Sequence, residues 1–169
     1  MKYAYGWLMA LLLVPCMCLA NPTPINKADQ AFRQGQIQLL NMNYPKALNY
    51  FQKALQKEPN NPKFLDFAAH AAGNLGQYDL RISYQERALQ IYMSNAGEDA
   101  SQASRTLNQL ALAWHEKGRI DKATYYYEMG LITMRKRFGN AHPHALAFEH
   151  NLNELRTTEL RLTQTGFEP

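Results

Sequence analysis

The sequence predicts an all-α fold, an array of helical hairpins closed by a single C-terminal helix. Apolar residues recur at three- and four-residue steps, as at Leu107, Leu110, Ala111 and Trp114, or at Ile120, Ala123, Tyr127 and Leu131, which sets them on one face of a helix. The pattern also repeats along the chain. GRIDKATYYYEMGL at 118–131 aligns on GQYDLRISYQERAL at 76–89 with a shift of 42 residues, and the latter aligns on MNYPKALNYFQKAL at 42–55 with a shift of 34. Short helices with one apolar face each cannot bury that face alone, so such copies stack side by side around a shared core.

The first 20 residues stand apart from this pattern. Lys2 precedes the apolar run Trp7 to Val14, and Cys18-Leu19-Ala20 offers small residues where a signal peptidase reads, so residues 1–20 read as a secretory signal peptide cleaved after Ala20. Leu13-Val14-Pro15-Cys16 resembles a lipoprotein cleavage box except for Pro15, and a retained leader would anchor the chain at a membrane. Both cysteines, Cys16 and Cys18, lie in this leader. A chain starting at Asn21 therefore has no disulfide, thiolate metal site or cysteine nucleophile. Loss of Lys2 lowers the net charge from +4 to +3, too mild to direct the chain to nucleic acid.

Residues 21–26, with Pro22 and Pro24, read as a flexible lead-in. Helices are predicted at 27–41, 45–57, 62–75, 78–95, 100–117, 120–138 and 143–163. Asn26 is an N-cap candidate, its side-chain oxygen accepting a backbone N–H that the first turn leaves free. Pro45, Pro62 and Pro143 suit first helical turns, where the missing N–H is no loss. Gly97 and Gly139 suit the positive-φ residue that ends a helix. The longer repeat from the second copy onward predicts longer helices in the C-terminal half. The last helix is apolar at Leu146, Phe148, Leu152, Leu155 and Leu160 and polar behind, which fits the cap a repeat array needs. Residues 164–169 read as a tail.

With these residues in place, the chain resembles a tetratricopeptide repeat (TPR) array. The first repeat matches through Gly35, Tyr44, Ala47, Phe51, Ala54 and Pro59, and the second through Gly76, Tyr78, Tyr84, Ala88 and Leu89. The third is most similar to the 42-residue kinesin-light-chain type, through Leu107-Asn108-Gln109-Leu110-Ala111, Gly118-Arg119, Ala123 and Gly139-Asn140-Ala141-His142-Pro143. The resemblance implies a right-handed superhelix over 27–163, with repeats at 28–61, 62–99 and 100–141 and a capping helix at 143–163. Arg81 departs from it, standing where the family has a small alanine, and Gln85 replaces an aromatic. Either the fourth helix turns Leu80, Tyr84 and Ala88 inward, or Arg81 finds a carboxylate such as Asp66.

Catalysis is not advertised. The chain has no phosphate-binding loop and no nucleophile elbow, and no cofactor is expected. His142 and His144 flank Pro143 as a turn element, without a third metal ligand. Asp66 and His70, four residues apart, could form a carboxylate–imidazole pair, but no nucleophile accompanies them. Tyr127 is assigned to the core, and Tyr125 and Tyr126 to contacts with the neighbouring repeat. Arg135, Lys136 and Arg137 close a helix, where positive charge opposes the dipole's negative end.

The resemblance directs attention to the first helix of each repeat, which in TPR proteins lines a concave peptide-binding face. Carried over by position, that face comprises Asp29, Phe32, Gln36, Leu39 and Leu40, then Lys63, Asp66, His70 and Asn74, then Arg105, Asn108, Leu112 and His115, and finally His150 and Asn151. Asn108 matches an Asn that in light-chain-type repeats bonds the backbone of a bound peptide, and an amide supplies both donor and acceptor. Gln109 departs from a second Asn usual there. Phe32 and Gln36 stand where chaperone-binding TPR domains need a Lys and an Asn, so carboxylate clamping of an acidic C-terminus is not expected. The function expected is an exported, periplasmic, non-catalytic adaptor that holds a protein or peptide segment in its groove. No nucleic acid or small-molecule substrate is expected, and membrane contact follows only if the leader is retained or lipidated. The alternative is a structural component of an envelope-associated assembly of pilus or secretion type, acting by self-association or convex-face docking.

Overall fold

Among the described residues of the computed structural model, seven helices follow one another and no strand occurs: α1 (Lys27–Leu40), α2 (Tyr44–Lys57), α3 (Pro62–Asn74), α4 (Tyr78–Ser94), α5 (Ala100–Glu116), α6 (Ile120–Phe138) and α7 (Pro143–Gln164). It describes residues 26–95 and 99–164. The expected leader, residues 21–25 of the lead-in, Gly97 and the tail beyond Gln164 lie outside those residues.

Local chemistry sets where these helices start. Asn26 caps α1, its Oδ1 accepting the backbone N–H groups of Ala28 and Asp29. Asn43 and Asn61 do the same for α2 and α3, accepting from Lys46 at 3.3 Å and Phe64 at 3.4 Å. Pro45 and Pro62 sit in the first turns of α2 and α3, and Pro143 opens α7. Gly139 ends α6 at φ 88°, a backbone value that side chains resist. The lengths follow the repeat period: α1 to α3 have 14, 14 and 13 residues, whereas α4 to α7 have 17, 17, 19 and 22.

The helices pack in sequence as hairpins α1/α2, α3/α4 and α5/α6, each hairpin meeting the next through α2·α3 and α4·α5, while α7 packs on α6. One hydrophobic core runs through all of them. Its N-terminal part is an aromatic knot. Phe32 stacks on Phe64 with centroids 4.6 Å apart and meets Phe67 edge-on at 5.0 Å, and Phe51 closes the group at 5.6 Å from Phe32. Such pairs contribute roughly 0.5–1.5 kcal/mol each beyond the area they bury. The C-terminal part is built on Leu107, Leu110, Tyr127, Met134 and Phe148. Close approach explains two glycines: a Cβ on Gly35 would lie 2.5 Å from Phe51 Cε1, and one on Gly130 would lie 2.4 Å from Phe148 Cε1. Tyr127 is buried as expected, and the Tyr126 hydroxyl reaches α4, donating to Glu86 at 2.8 Å.

Candidate functional site

Three neighbouring cavities lie along α3, α5 and α7. The first, of about 300 Å³, lies between α3, α4 and α5 and is lined by Asp66, His70, Asn74, Arg81, Gln85 and Glu116 among others. The second, about 220 Å³, shares Asp66, His70 and Gln109 with the first and adds Arg105. The third, about 520 Å³, continues from Arg105 to Asn108, His144, Phe148 and Asn151. Shared residues thus link a polar groove from the α3/α4 turn to the start of α7.

Repeat packing sets the groove's floor. Asp66 on α3 accepts from the Tyr92 hydroxyl of α4 at 2.7 Å and from Arg105 of α5 at 3.0 Å, both through Oδ2. Burial pushes its carboxyl above the usual carboxylate range, against Tyr92 and Arg105, which favour the charged form. The Tyr92 hydroxyl is raised in turn, by burial first and then by the neighbouring carboxylate. Arg81 lies against Gly73, pairs with Glu116 at 2.7 Å and reaches the Gln109 carbonyl at 3.5 Å. Gln85, only 3% exposed, donates to Gln109 Oε1 at 3.3 Å. Asn151 donates to Asn108 Oδ1 at 2.8 Å, tying α7 to α5.

The groove gathers Asp66, His70, Asn74, Arg105, Asn108 and Asn151 of the expected set. Asp29, Gln36, Leu39, Leu40, Lys63, Leu112, His115 and His150 line none of the three cavities; Gln36 and Leu39 are half-buried and the other six are exposed. Phe32 requires correction as a groove residue. It is 4% exposed, because three further phenylalanines draw its ring into the core, and Lys63 covers it with Nζ 5.1 Å from the ring centroid. The Asp66–His70 pair is also corrected: Asp66 bonds Tyr92 and Arg105 instead. Arg81 finds a carboxylate, but that of Glu116, while Tyr84 and Ala88 turn inward.

Sequence reasoning did not place Gln85, Gln109, Tyr92, Glu116 and His144 at the site. A signal existed for Gln85 and Arg81, the two positions where polar residues replace the repeat's packing residues. His142 stacks on Phe138 with centroids 4.5 Å apart, and no group of three metal-ligating side chains occurs among the described residues. No helix of those residues is long and apolar enough to cross a membrane.

Residues 104–144 match the family model described as tetratricopeptide repeat. No curated protein matches the chain as a sequence relative. Among solved structures, the Sgt2 TPR domain from Aspergillus fumigatus is 23% identical, with a TM-score of 0.61 over 88% of this chain and 87% of that one. A kinesin light chain of nearly identical TPR-like repeats from Podosopora anserina is 15% identical, with a TM-score of 0.69 over 81% and 68%. The TPR2B domain of yeast Sti1, solved as a complex with pHsp70, is 13% identical, with a TM-score of 0.61 over 78% and 98%. The chain is a TPR array in fold, and its third repeat is TPR in sequence.

Proposed function

We propose that this TPR array is an exported, non-catalytic adaptor that holds an extended segment of a partner protein along the groove of α3, α5 and α7. The observation that carries this is the row of three cavities whose linings share Asp66, His70, Gln109 and Arg105. Side-chain amides (Asn74, Gln85, Gln109, Asn108 and Asn151) and charges (Asp66, Arg81, Arg105 and Glu116) both line it, which gives a polar segment hydrogen-bond partners and charged ones. The Nδ2 group of Asn108 makes no hydrogen bond among the described residues, while its carbonyl accepts from Asn151. It is therefore a donor held ready for a peptide carbonyl. The yeast Sti1 domain, complexed with pHsp70, supports the reading by likeness of fold.

The proposal of export is supported by the leader's own residues, Lys2, the apolar run and Ala20, with the periplasm as the proposed destination. Cell fractionation with N-terminal sequencing tests it: a periplasmic chain starting at Asn21 supports it, and a cytoplasmic chain starting at Met1 contradicts it. The binding claim is tested with an Arg105→Ala, Asn108→Ala double variant in a crosslinking pull-down. Partners recovered with the natural protein and lost with the variant support groove capture; unchanged recovery contradicts it.

A second reading has one observation in its favour. Ile132 is 66% exposed beside a groove of about 320 Å³ between α6 and α7, lined by Leu131, Leu152, Glu149 and Arg156. An apolar residue so placed suits docking in an assembly, and sedimentation of natural protein against Ile132→Ser tests it.

A further inference from the structure

The cavity between α3, α4 and α5 is more specific than a stretch of polar groove. Among the described residues, two polar atoms of its buried side chains have no partner, Asp66 Oδ1 and Gln85 Oε1, and both are acceptors. Gln85 is 3% exposed and the Asp66 side chain 13%, so bulk water does not readily serve either one. The cations at hand are already engaged, Arg81 with Glu116 and Arg105 with the other Asp66 oxygen. What the site lacks is a donor.

We infer that this cavity is an anchor for a lysine or arginine side chain of the segment held in the groove. The inference rests on the groove reading above and adds the side chain that sets its register. An ammonium offers three donors and a guanidinium five, so either has donors to spare for an unpartnered acceptor of this cavity, whereas a backbone amide offers one. The carboxylate among the acceptors selects a cation over a neutral amide, since hydrogen bonds between charged partners are the stronger kind. A volume of about 300 Å³ takes one long side chain. His70 and Gln109 line both this cavity and the next one, which also has Arg105, so a segment anchored here has its continuation beside Arg105.

Pools of degenerate dodecapeptides test this, each pool sharing one fixed central residue (Lys, Arg, Gln, Glu or Leu), with retention on the immobilised protein read by mass spectrometry. The expected result is about tenfold greater retention of the Lys and Arg pools than of the Glu and Leu pools. The Lys-to-Leu ratio then falls towards one in Asp66→Asn and in Gln85→Met. Gln85→Met keeps side-chain length, and its ratio remains readable if Asp66→Asn fails to fold. Retention of all pools without a Lys or Arg preference, a Gln pool held above both, or a ratio unchanged in both variants overturns the anchor and leaves the groove standing. Retention of no pool overturns the groove reading and the anchor with it.

Discussion

Asp66 and Arg105 meet at 3.0 Å across the seam between the second and third hairpins, and the Asp66 oxygen that makes this bond also takes the Tyr92 hydroxyl at 2.7 Å. One oxygen therefore joins α3, α4 and α5. Burial, the dominant influence on this carboxyl, raises its native pKa above the ordinary value of about 3.9. A raised carboxylate contributes stability that is fully present below the unfolded pKa and is lost as pH rises through the native one. The stability difference between natural protein and Asp66→Asn should thus move against the natural protein as pH rises from about 3.9 through that window. Urea unfolding at a series of pH values measures it. A difference that grows in the natural protein's favour over this range contradicts the assignment.

Overpacking should be severe where helices touch. Gly35→Ala and Gly130→Ala each drive a Cβ to within about 2.5 Å of an aromatic ring, Phe51 in the first case and Phe148 in the second. A loss of roughly 1–3 kcal/mol is expected for each. Thermal melting followed by circular dichroism checks it, and an unchanged midpoint counts against these packing distances.

The aromatic knot should fail as a unit. Phe64 is 2% exposed and stacks on Phe32, so Phe64→Ala removes a filled volume and a ring contact together. The expected cost is about 3–5 kcal/mol. Chemical denaturation gives the value directly, with Asn49→Ala, on an exposed position of α2, as a control near zero.

Asn26 does two jobs at the start of α1. It caps the helix and donates to Glu58 at 2.6 Å, and with Asn61 it holds the Glu58 carboxyl below its usual range. Asn26→Ala should cost about 0.5–2 kcal/mol and speed amide exchange in the first turn of α1 ahead of the rest. Hydrogen exchange read by NMR separates this local fraying from global loss.

The architecture was legible because it is written locally. Asn26, Pro45, Pro62, Pro143 and Gly139 mark helix ends within a few residues of themselves, and each observed boundary falls within about a residue of the prediction. The groove was half legible. Exposed positions on α3 and α5, such as His70 and Arg105, follow from repeat alignment. Phe32 did not, because alignment fixes a position on a helix and not which neighbours compete for its ring. Arg81 and Glu116 are 35 residues apart, and Asn108 and Asn151 are 43 apart. Such pairs depend on how hairpins stack, and no spacing within one helix encodes them.

The central claim is that partners are held in the groove of α3, α5 and α7. Photocrosslinking from single positions in intact cells tests it most directly, with the reactive residue placed at His70 or Ser101, which line the groove, or at Ile132, which lies outside it. The account predicts a partner adduct from His70 and from Ser101, mapping to one extended segment, and none from Ile132. Adducts from Ile132 with none from the two groove positions would contradict it and move the working surface to α6 and α7.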